Sequence, residues 1–134
     1  MGATIVALDC NKNGLDELQN YLDSQVVEGR IKDKEFGDGN SRVWTIAVGQ
    51  EDLAAVAATA DEIKKRYGKI DILLNNAGLT YKQDGSVELG APYMKAKNGM
   101  DLSFAVNYLS HFLLTEKLLD NLSNASPKGR VSFI

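Results

Sequence analysis

The chain is short and weakly acidic: it has 134 residues and a formal net charge of −3, with 44% hydrophobic and 25% charged residues. This composition is typical of one globular domain and argues against a nucleic-acid-binding protein, which would carry a basic face. The single cysteine, Cys10, excludes an internal disulfide, and the single histidine, His111, leaves little for a zinc site or a Ser-His-Asp triad.

The first half of the chain predicts two strands and one helix. Residues 3–8, ATIVAL, are an apolar run rich in β-branched side chains that ends at Asp9, as a buried parallel strand does. Leucines at helical spacing predict a helix over residues 13–22. The polar residues 28–42 are predicted to form a surface loop or an insertion, and residues 43–48, VWTIAV, a second buried strand.

The second half predicts two helices and two further strands. The clearest helix covers residues 53–67, because its apolar side chains recur on one face and Gly68 stands where helices often end in a left-handed glycine. Residues 70–74 predict a third buried strand. Residues 98–122 predict a long helix capped by its first residue, an asparagine, and residues 130–134 begin a fourth strand.

Polar or very small residues stand at the ends of two predicted strands. Alternating strands and helices predict an α/β fold with a parallel sheet, and such sheets bind ligands beyond the carboxyl ends of their strands. Asp9 could accept hydrogen bonds from a ribose there, or it could cap the following turn. Asn76 could tie its strand to a neighbour, and Ala77 and Gly78 would let a flat or anionic ligand approach the backbone closely. These residues alone leave a plain turn and a binding site both open.

Three segments resemble one enzyme family, in the family's order and at roughly its spacing. GATIVALDCN (residues 2–11), DILLNNAG (residues 71–78) and FAVNYLSHFLLTEKLL (residues 104–119) are similar to motifs of the short-chain dehydrogenase/reductase family, in its retinol-dehydrogenase-like branch. The resemblance covers nearly the whole chain apart from residues 28–42. It implies a partial Rossmann-type doubly wound parallel sheet flanked by helices, in a single partial dinucleotide-binding domain over residues 1–134. The implied reaction is the NAD(P)-dependent interconversion of an alcohol and a carbonyl.

The resemblance also implies which residues bind the cofactor. Asp9 matches the family's acidic selector for NAD, and Cys10 stands where NADP-preferring relatives often carry arginine. NAD is therefore the expected cofactor, and NADP is less favoured. Asn76, Ala77 and Gly78 match positions that line the cofactor in the family.

One catalytic residue and several departures follow from the same resemblance. Asn107 matches the helix asparagine of the family's Asn-Ser-Tyr-Lys set, which organises a water in the proton relay; the alternative is an amide satisfied inside a helix bundle. His111 matches a histidine of this branch and is interpreted as a packing residue. Gly49 stands where the family often has an aspartate near the adenine, and Tyr108 and Ser110 replace a histidine and a glycine of the branch pattern.

The resemblance is incomplete at the motifs that carry most of the chemistry. The family's T-G-x-x-x-G-x-G turn, which binds the pyrophosphate, does not occur; GDGNSR at residues 37–42 has two of the glycines but no following helix. The family's serine and Tyr-x-x-x-Lys, which follow its fifth strand, do not occur there either. Tyr93 and Lys97 have the right spacing but precede the Asn107 helix. We therefore expect a central fragment of such an enzyme, inactive by itself.

The alternative is a non-catalytic interaction module that docks onto full-length subunits through the Asn107 helix, because this helix helps to form dimers in the family. The branch pattern implies a lipophilic alcohol or carbonyl substrate, such as a retinoid or a steroid, and a homo-oligomeric parent enzyme. No metal, nucleic-acid partner or membrane segment is expected in this chain. A cytoplasmic location is expected unless an N-terminal membrane anchor has been lost.

Overall fold

The computed structural model describes residues 3–27, 43–79 and 94–134. The chain divides into two compact units, Met1–Val48 and Gly49–Ile134. The loop predicted at residues 28–42 lies outside the described residues. Tyr93, which has the Tyr-x-x-x-Lys spacing with Lys97, also lies outside them.

The first unit is a strand–helix–strand segment. It consists of β1 (Ile5–Asp9), α1 (Lys12–Val27) and β2 (Val43–Ala47), and the two strands pair in parallel along their full length. The helix α1 packs against both strands and is longer than the sequence predicts. Its Leu15 is the buried centre of the unit. The strands are only half-buried, so the prediction of fully buried strands is wrong here.

The second unit contains the other strand pair and four helical segments. In chain order these are α2 (Leu53–Arg66), β3 (Ile72–Asn75), α3 (Leu102–Phe104), a π-helical segment (Ala105–Leu109), α4 (Ser110–Ser123) and β4 (Arg130–Phe133). The strands β3 and β4 pair in parallel, and α4 packs against α2 and β3. Apolar side chains of α2 and α4 form the core: Val56, Ala60, Ile63, Leu114, Leu118 and Leu122. The predicted parallel α/β arrangement is thus confirmed within each unit.

The end of α2 is held differently from the way the sequence predicts. The left-handed glycine expected at Gly68 is not observed, because in the described residues only Gly99 has a positive φ. Two asparagines of the α4 region supply hydrogen bonds instead. Asn121 Nδ2 donates to the Tyr67 carbonyl at 2.6 Å, and Asn124 Nδ2 donates to the Gly68 carbonyl at 3.2 Å. Side chains from a neighbouring helix therefore satisfy carbonyl groups that a helix end leaves without partners.

The start of the long helix also differs from the prediction. Asp101, not Asn98, caps it, because the Asp101 carboxylate accepts a hydrogen bond from the Phe104 amide at 2.8 Å. Asn98 instead closes a turn by accepting from the Met100 amide at 3.1 Å. The glycine between them, Gly99, has φ +83°, a conformation that glycine adopts without steric cost.

One face of the β3 strand is open to solvent. Ile72 and Leu74 are 59% and 60% exposed, whereas Asn75 is only 2% exposed. The strand was predicted to be buried, and that prediction is wrong, because within this unit α4 covers only one face of it. Within the described ranges, no helix combines the length and apolar character needed to cross a membrane.

Candidate functional site

The candidate site begins where β3 ends, at the segment formed by residues 75–79. Asn75 is buried, and its Nδ2 donates to Thr115 Oγ1 of α4 at 3.0 Å. Asn76 and Gly78 are exposed, and Ala77 is half-buried between them. The tying role that the sequence suggests for Asn76 therefore belongs to Asn75, which fixes the strand end to the helix. The backbone of the following three residues is left accessible to a ligand.

Asn107 fixes the far end of this segment. Its Oδ1 accepts a hydrogen bond from the Leu79 amide, and its Nδ2 donates to the Leu79 carbonyl, both at 2.9 Å. The side chain is exposed, so it is not the amide buried in a helix bundle that the sequence left as an alternative. The structure thus brings Asn107 together with the segment that contains Asn76, Ala77 and Gly78.

The π-helical segment explains how Asn107 is placed. A π turn is wider than an α turn, and such turns occur frequently at functional sites. At its end the Ser110 amide donates to the Ala105 carbonyl, and Ser110 Oγ donates to the Val106 carbonyl at 2.8 Å. Ser110 is fully buried. The serine that departs from the branch pattern therefore satisfies a carbonyl of the widened turn that carries Asn107.

His111 lies one turn beyond Asn107, on the same face of the helix. It is 6% exposed, and its ring centroid lies 6.5 Å from that of Phe133. Burial lowers the pKa of His111 below its usual value, and the nearby Ala77 carbonyl opposes that shift only in part. The imidazole is therefore neutral at pH 7. Its packing agrees with the interpretation from sequence.

A cleft of about 410 Å³ opens beside these residues. Most of the surface that lines the cleft is apolar. All lining residues except Phe133 lie on the helix that carries Asn107. The lining residues are Asn107, Tyr108, His111, Phe112, Thr115, Glu116 and Phe133. In the described ranges, no group of three or more His, Cys, Asp or Glu side chains is placed to hold a metal ion.

Asp9 belongs to the other unit, at the carboxyl end of β1. It is exposed, and its Oδ1 accepts a hydrogen bond from the Asn11 amide at 2.7 Å, which closes the turn into α1. This is the capping role that the sequence left as the alternative to a ribose contact. The two roles are compatible, because a carboxylate has a second oxygen and several acceptor positions. Cys10, beside it, is exposed as well.

The sequence interpretation missed the contact between Asn75 and Thr115. A signal for it does exist: Asn107, His111 and Thr115 follow one another at intervals of four residues, so they lie on one face of the helix. The same interpretation named Asn76 as the residue that could tie its strand to a neighbour, whereas the structure shows a bond of this kind at Asn75.

Comparison with known proteins places the chain in a family. The family model described as short chain dehydrogenase matches residues 1–134. The chain is 31% identical to mouse retinol dehydrogenase 13 over 121 residues, which cover 90% of this chain and 34% of that protein. It is 37% identical to human retinol dehydrogenase 14 over 92 residues, which cover 66% of this chain and 25% of that protein. The chain thus spans about a third or less of these relatives.

Solved structures show the same fold. A short-chain dehydrogenase from Streptomyces avermitilis matches 96% of this chain and 38% of its own, with a TM-score of 0.62 and 21% identity. The Pseudomonas aeruginosa RhlG/NADP active-site complex matches 90% of this chain and 38% of its own, with a TM-score of 0.61 and 18% identity. The Brucella melitensis 3-ketoacyl-(acyl-carrier-protein) reductase complexed with NADH matches 95% and 44%, with a TM-score of 0.57 and 22% identity. The fold is a partial Rossmann-type α/β fold, and the chain belongs to the short chain dehydrogenase family.

Proposed function

We propose that this chain is a central segment of an NAD-dependent oxidoreductase that interconverts an alcohol and a carbonyl on a lipophilic substrate. The observation that carries the proposal is the pair of hydrogen bonds from Asn107 to the Leu79 backbone. These bonds fix the segment beyond the carboxyl end of β3, which is the position where open α/β sheets bind their ligands. The retinol dehydrogenases among the relatives support a lipophilic substrate such as a retinoid or a steroid.

The segment after β3 fits a nicotinamide cofactor. A Cβ atom added at Gly78 would have no heavy atom nearer than 3.8 Å, so the backbone there is open to close approach by a flat ligand. The backbones of Asn76, Ala77 and Gly78 would line the cofactor, as the resemblance implies. When bound, NAD supplies the hydride acceptor of the reaction, and this chain supplies the surface that orients it.

The preference for NAD over NADP rests on Asp9. Its exposed carboxylate would accept hydrogen bonds from the ribose hydroxyls and would repel a 2′-phosphate. Cys10 offers no positive charge that could compensate for that repulsion. Among the structural relatives, some are complexed with NADH and others with NADP, so the fold accommodates either cofactor.

Asn107 would act by holding the segment after β3 in place. Each polar atom of its side chain makes one bond to Leu79 and has capacity for one more, so a water of the proton relay could bind at this amide or at a backbone group of the π-helical segment. The wider turn suits this role, because it leaves carbonyl groups outside the regular helical bonding. No described residue of this chain takes the place of the family's Tyr-x-x-x-Lys, since Lys97 lies before the helix that carries Asn107.

We therefore propose that the 134-residue chain has no dehydrogenase activity and does not bind NAD tightly. The pyrophosphate turn and the Ser-Tyr-Lys set do not occur in its sequence in the family's order. Calorimetric titration with NAD and a turnover assay on a retinoid and steroid panel test this directly. Micromolar NAD binding or measurable turnover by this chain alone would contradict it. The full-length enzyme that contains this segment is the positive control.

A second candidate is an interaction module that docks onto full-length subunits. It is favoured by three aromatic rings on one helix face: Phe104, Tyr108 and Phe112 are about half exposed or more, and successive rings stack at 5.4 and 6.5 Å. Exposed apolar patches of this kind mark association surfaces. A homo-oligomeric parent enzyme would use the same surface. Co-purification of this chain with the full-length enzyme, abolished by Tyr108→Lys, would support docking, and unchanged co-purification would contradict it.

The location of the protein is proposed to be cytoplasmic, or membrane-attached through a segment outside this chain. Fractionation of cells that express the full-length protein separates the two possibilities. Recovery in the membrane pellet after a carbonate wash would indicate an anchor.

A further inference from the structure

The segment from Asn75 to Leu79 is tied to the long helix at both of its ends. At one end Asn75 Nδ2 donates to Thr115 Oγ1 at 3.0 Å, and at the other end the Leu79 backbone makes its two bonds to Asn107 at 2.9 Å. Neither tie includes the backbone of residues 76–78, which lies between them. The position of that backbone therefore depends on how the two ends of the segment are held.

The two ties are separated by nearly equal lengths of helix and of segment. Asn107 and Thr115 are eight residues apart, and eight residues of a helix advance by about 12 Å. Asn75 and Leu79 are four residues apart, and four residues of an extended chain advance by about 13 Å. No residue of the segment has a positive φ, so no left-handed turn shortens it. The segment therefore spans the distance between its ties with almost no slack, and the release of one tie would free it to bend.

Thr115 holds Asn75 in a direction in which the sheet does not. The residue after β4, Ile134, donates its amide to the Asn75 carbonyl at 3.1 Å. Bonds between strands lie within the plane of the sheet, whereas the side chains of a strand point out of that plane. The bond from the Asn75 side chain to Thr115 runs out of the plane, so it sets the distance between the strand end and α4.

The Asn75 side chain has no substitute for this bond among the described residues. Asn75 is 2% exposed, and its Oδ1 is buried without a hydrogen-bond partner in that part of the chain. Without the Thr115 hydroxyl, Nδ2 would become a second buried polar atom without a partner, and such an atom is costly to bury. We therefore expect the strand end to shift until the amide reaches water.

We propose that Thr115 is a positioning residue for the backbone of residues 76–78, acting through the hydrogen bond that its hydroxyl accepts from Asn75. The identity of the ligand at this backbone rests on the proposed function, but the two ties and their spacing do not. Two substitutions separate the hydroxyl from the shape of the side chain. Thr115→Val keeps the branched shape without the oxygen, whereas Thr115→Ser keeps the hydroxyl and loses only a methyl group.

Amide hydrogen exchange in the 134-residue chain reads out the segment without any cofactor. The reporter is the Leu79 amide, which is bonded to Asn107, and the control is the Val56 amide in α2, which donates to the Asp52 carbonyl at 2.9 Å. We expect Thr115→Val to speed exchange at Leu79 by roughly two- to ten-fold, because a segment that has lost one tie opens more often at the other. Thr115→Ser should stay close to wild type. Exchange at Val56 should change less than exchange at Leu79, and this difference separates a local release of the segment from a general loss of stability.

In the full-length enzyme, the same pair of substitutions should separate KM from kcat. Thr115→Val should raise KM for NAD by roughly two- to ten-fold with a smaller change in kcat, and Thr115→Ser should restore the wild-type KM. A wild-type enzyme that does not use NAD would refute the proposed function but leave the exchange result standing. Faster exchange with an unchanged KM, in an enzyme that does use NAD, would show that the position of the segment does not matter for the cofactor and would overturn the role of Thr115.

The exchange experiment can contradict the positioning role by itself. Wild-type exchange at Leu79 in Thr115→Val would do so, and so would equal effects of the two substitutions or equal acceleration at Leu79 and Val56. Loss of the folded state in Thr115→Val would count against it as well, because the hydroxyl would then hold the fold as a whole and not the segment.

Discussion

Asn107 meets the backbone of Leu79 through two hydrogen bonds of equal length, 2.9 Å each, one accepted and one donated by the same side-chain amide. Such a pairing resembles one rung of a β-ladder, with a side chain in the place of a second strand. It joins residues 28 positions apart in the sequence, and it engages both polar atoms of the amide with a single residue. The helix therefore determines the path of the chain beyond β3.

Replacing Asn107 by leucine should lower kcat of the full-length enzyme by roughly ten- to hundred-fold, because two hydrogen bonds that hold the segment are lost together. The fold should persist, since the side chain is exposed. Steady-state kinetics and circular dichroism measure the two effects. Asn124→Leu is the control, because Asn124 is also an exposed asparagine near the same helix but bonds Gly68 instead. Near-normal turnover in Asn107→Leu would show that the hydrogen bonds between Asn107 and Leu79 do not matter for catalysis.

The double substitution Asp9→Ala with Cys10→Arg should shift the cofactor preference of the full-length enzyme from NAD toward NADP. It removes the carboxylate that would repel a 2′-phosphate and adds a guanidinium that can pair with one. The ratio of kcat/KM for the two cofactors should change by at least about ten-fold, equivalent to about 1.4 kcal/mol. Asp9→Asn keeps the acceptor for the Asn11 amide and serves as the control for turn formation. An unchanged ratio in the double variant would refute the assignment.

In the second unit, substitution by alanine should destabilise the fold at Gly129 but leave stability nearly unchanged at Gly78. A Cβ at Gly129 would overlap the Ile70 carbonyl oxygen and lie 2.9 Å from that of Leu122, so Gly129→Ala should lower the free energy of unfolding by about 1–3 kcal/mol. A Cβ at Gly78 has free space, so Gly78→Ala should leave stability within about 1 kcal/mol of wild type. In the full-length enzyme, however, the added methyl group should raise KM for NAD. Urea unfolding and cofactor kinetics test both, and a destabilised Gly78→Ala with unchanged KM would contradict the site.

Asn121 should matter more for stability than Asn124, although both donate to the end of α2. Asn121 is buried and its bond to the Tyr67 carbonyl is 2.6 Å long, whereas Asn124 is exposed and its bond to Gly68 is 3.2 Å long. We expect Asn121→Ala to cost about 1–3 kcal/mol of unfolding free energy, because a part-buried carbonyl loses its partner. Asn124→Ala should cost less than about 0.5 kcal/mol. Equal losses would show that the length and burial of these bonds do not determine their contribution.

The sequence predicted the elements of this fold better than their ends and their burial. The helical face of α2 was predictable, because six apolar residues repeat with one period and the structure buries its Val56, Ala60 and Ile63. The end of α2 was not, because its partners, Asn121 and Asn124, lie more than 50 positions further along the chain. Tertiary partners of this kind leave no local pattern.

The candidate site was predictable only as a location. The change from apolar to polar residues at Asn75 marks the end of β3, and the sequence predicts the candidate site there. Which asparagine is tied down depends on the side of the strand that α4 covers, and no local pattern in the strand gives that side. The spacing of Asn107, His111 and Thr115 could have indicated which face of the helix meets the segment, because these three polar side chains share one face.

Stability should fall as His111 becomes protonated. Burial lowers the pKa of His111 in the folded chain, whereas an unfolded histidine titrates near about 6.5. Between these two values the unfolded state binds more protons than the folded state, so the free energy of unfolding rises with pH there. The contribution is complete above pH 6.5 and is lost as the pH falls through the folded value.

The measurement compares urea unfolding of the wild-type chain and of His111→Asn, which does not titrate, between pH 5 and 8. Glu116 and Tyr108, which line the same cleft, are present unchanged in both proteins. We expect the wild type to lose more stability than the variant on going from pH 7.5 to pH 5.5, because only the wild type must bury a proton beside the Phe133 ring. Parallel pH profiles for the two proteins would mean that the imidazole titrates equally in the folded and unfolded chains, and the assignment of His111 as a buried, neutral histidine would then be wrong.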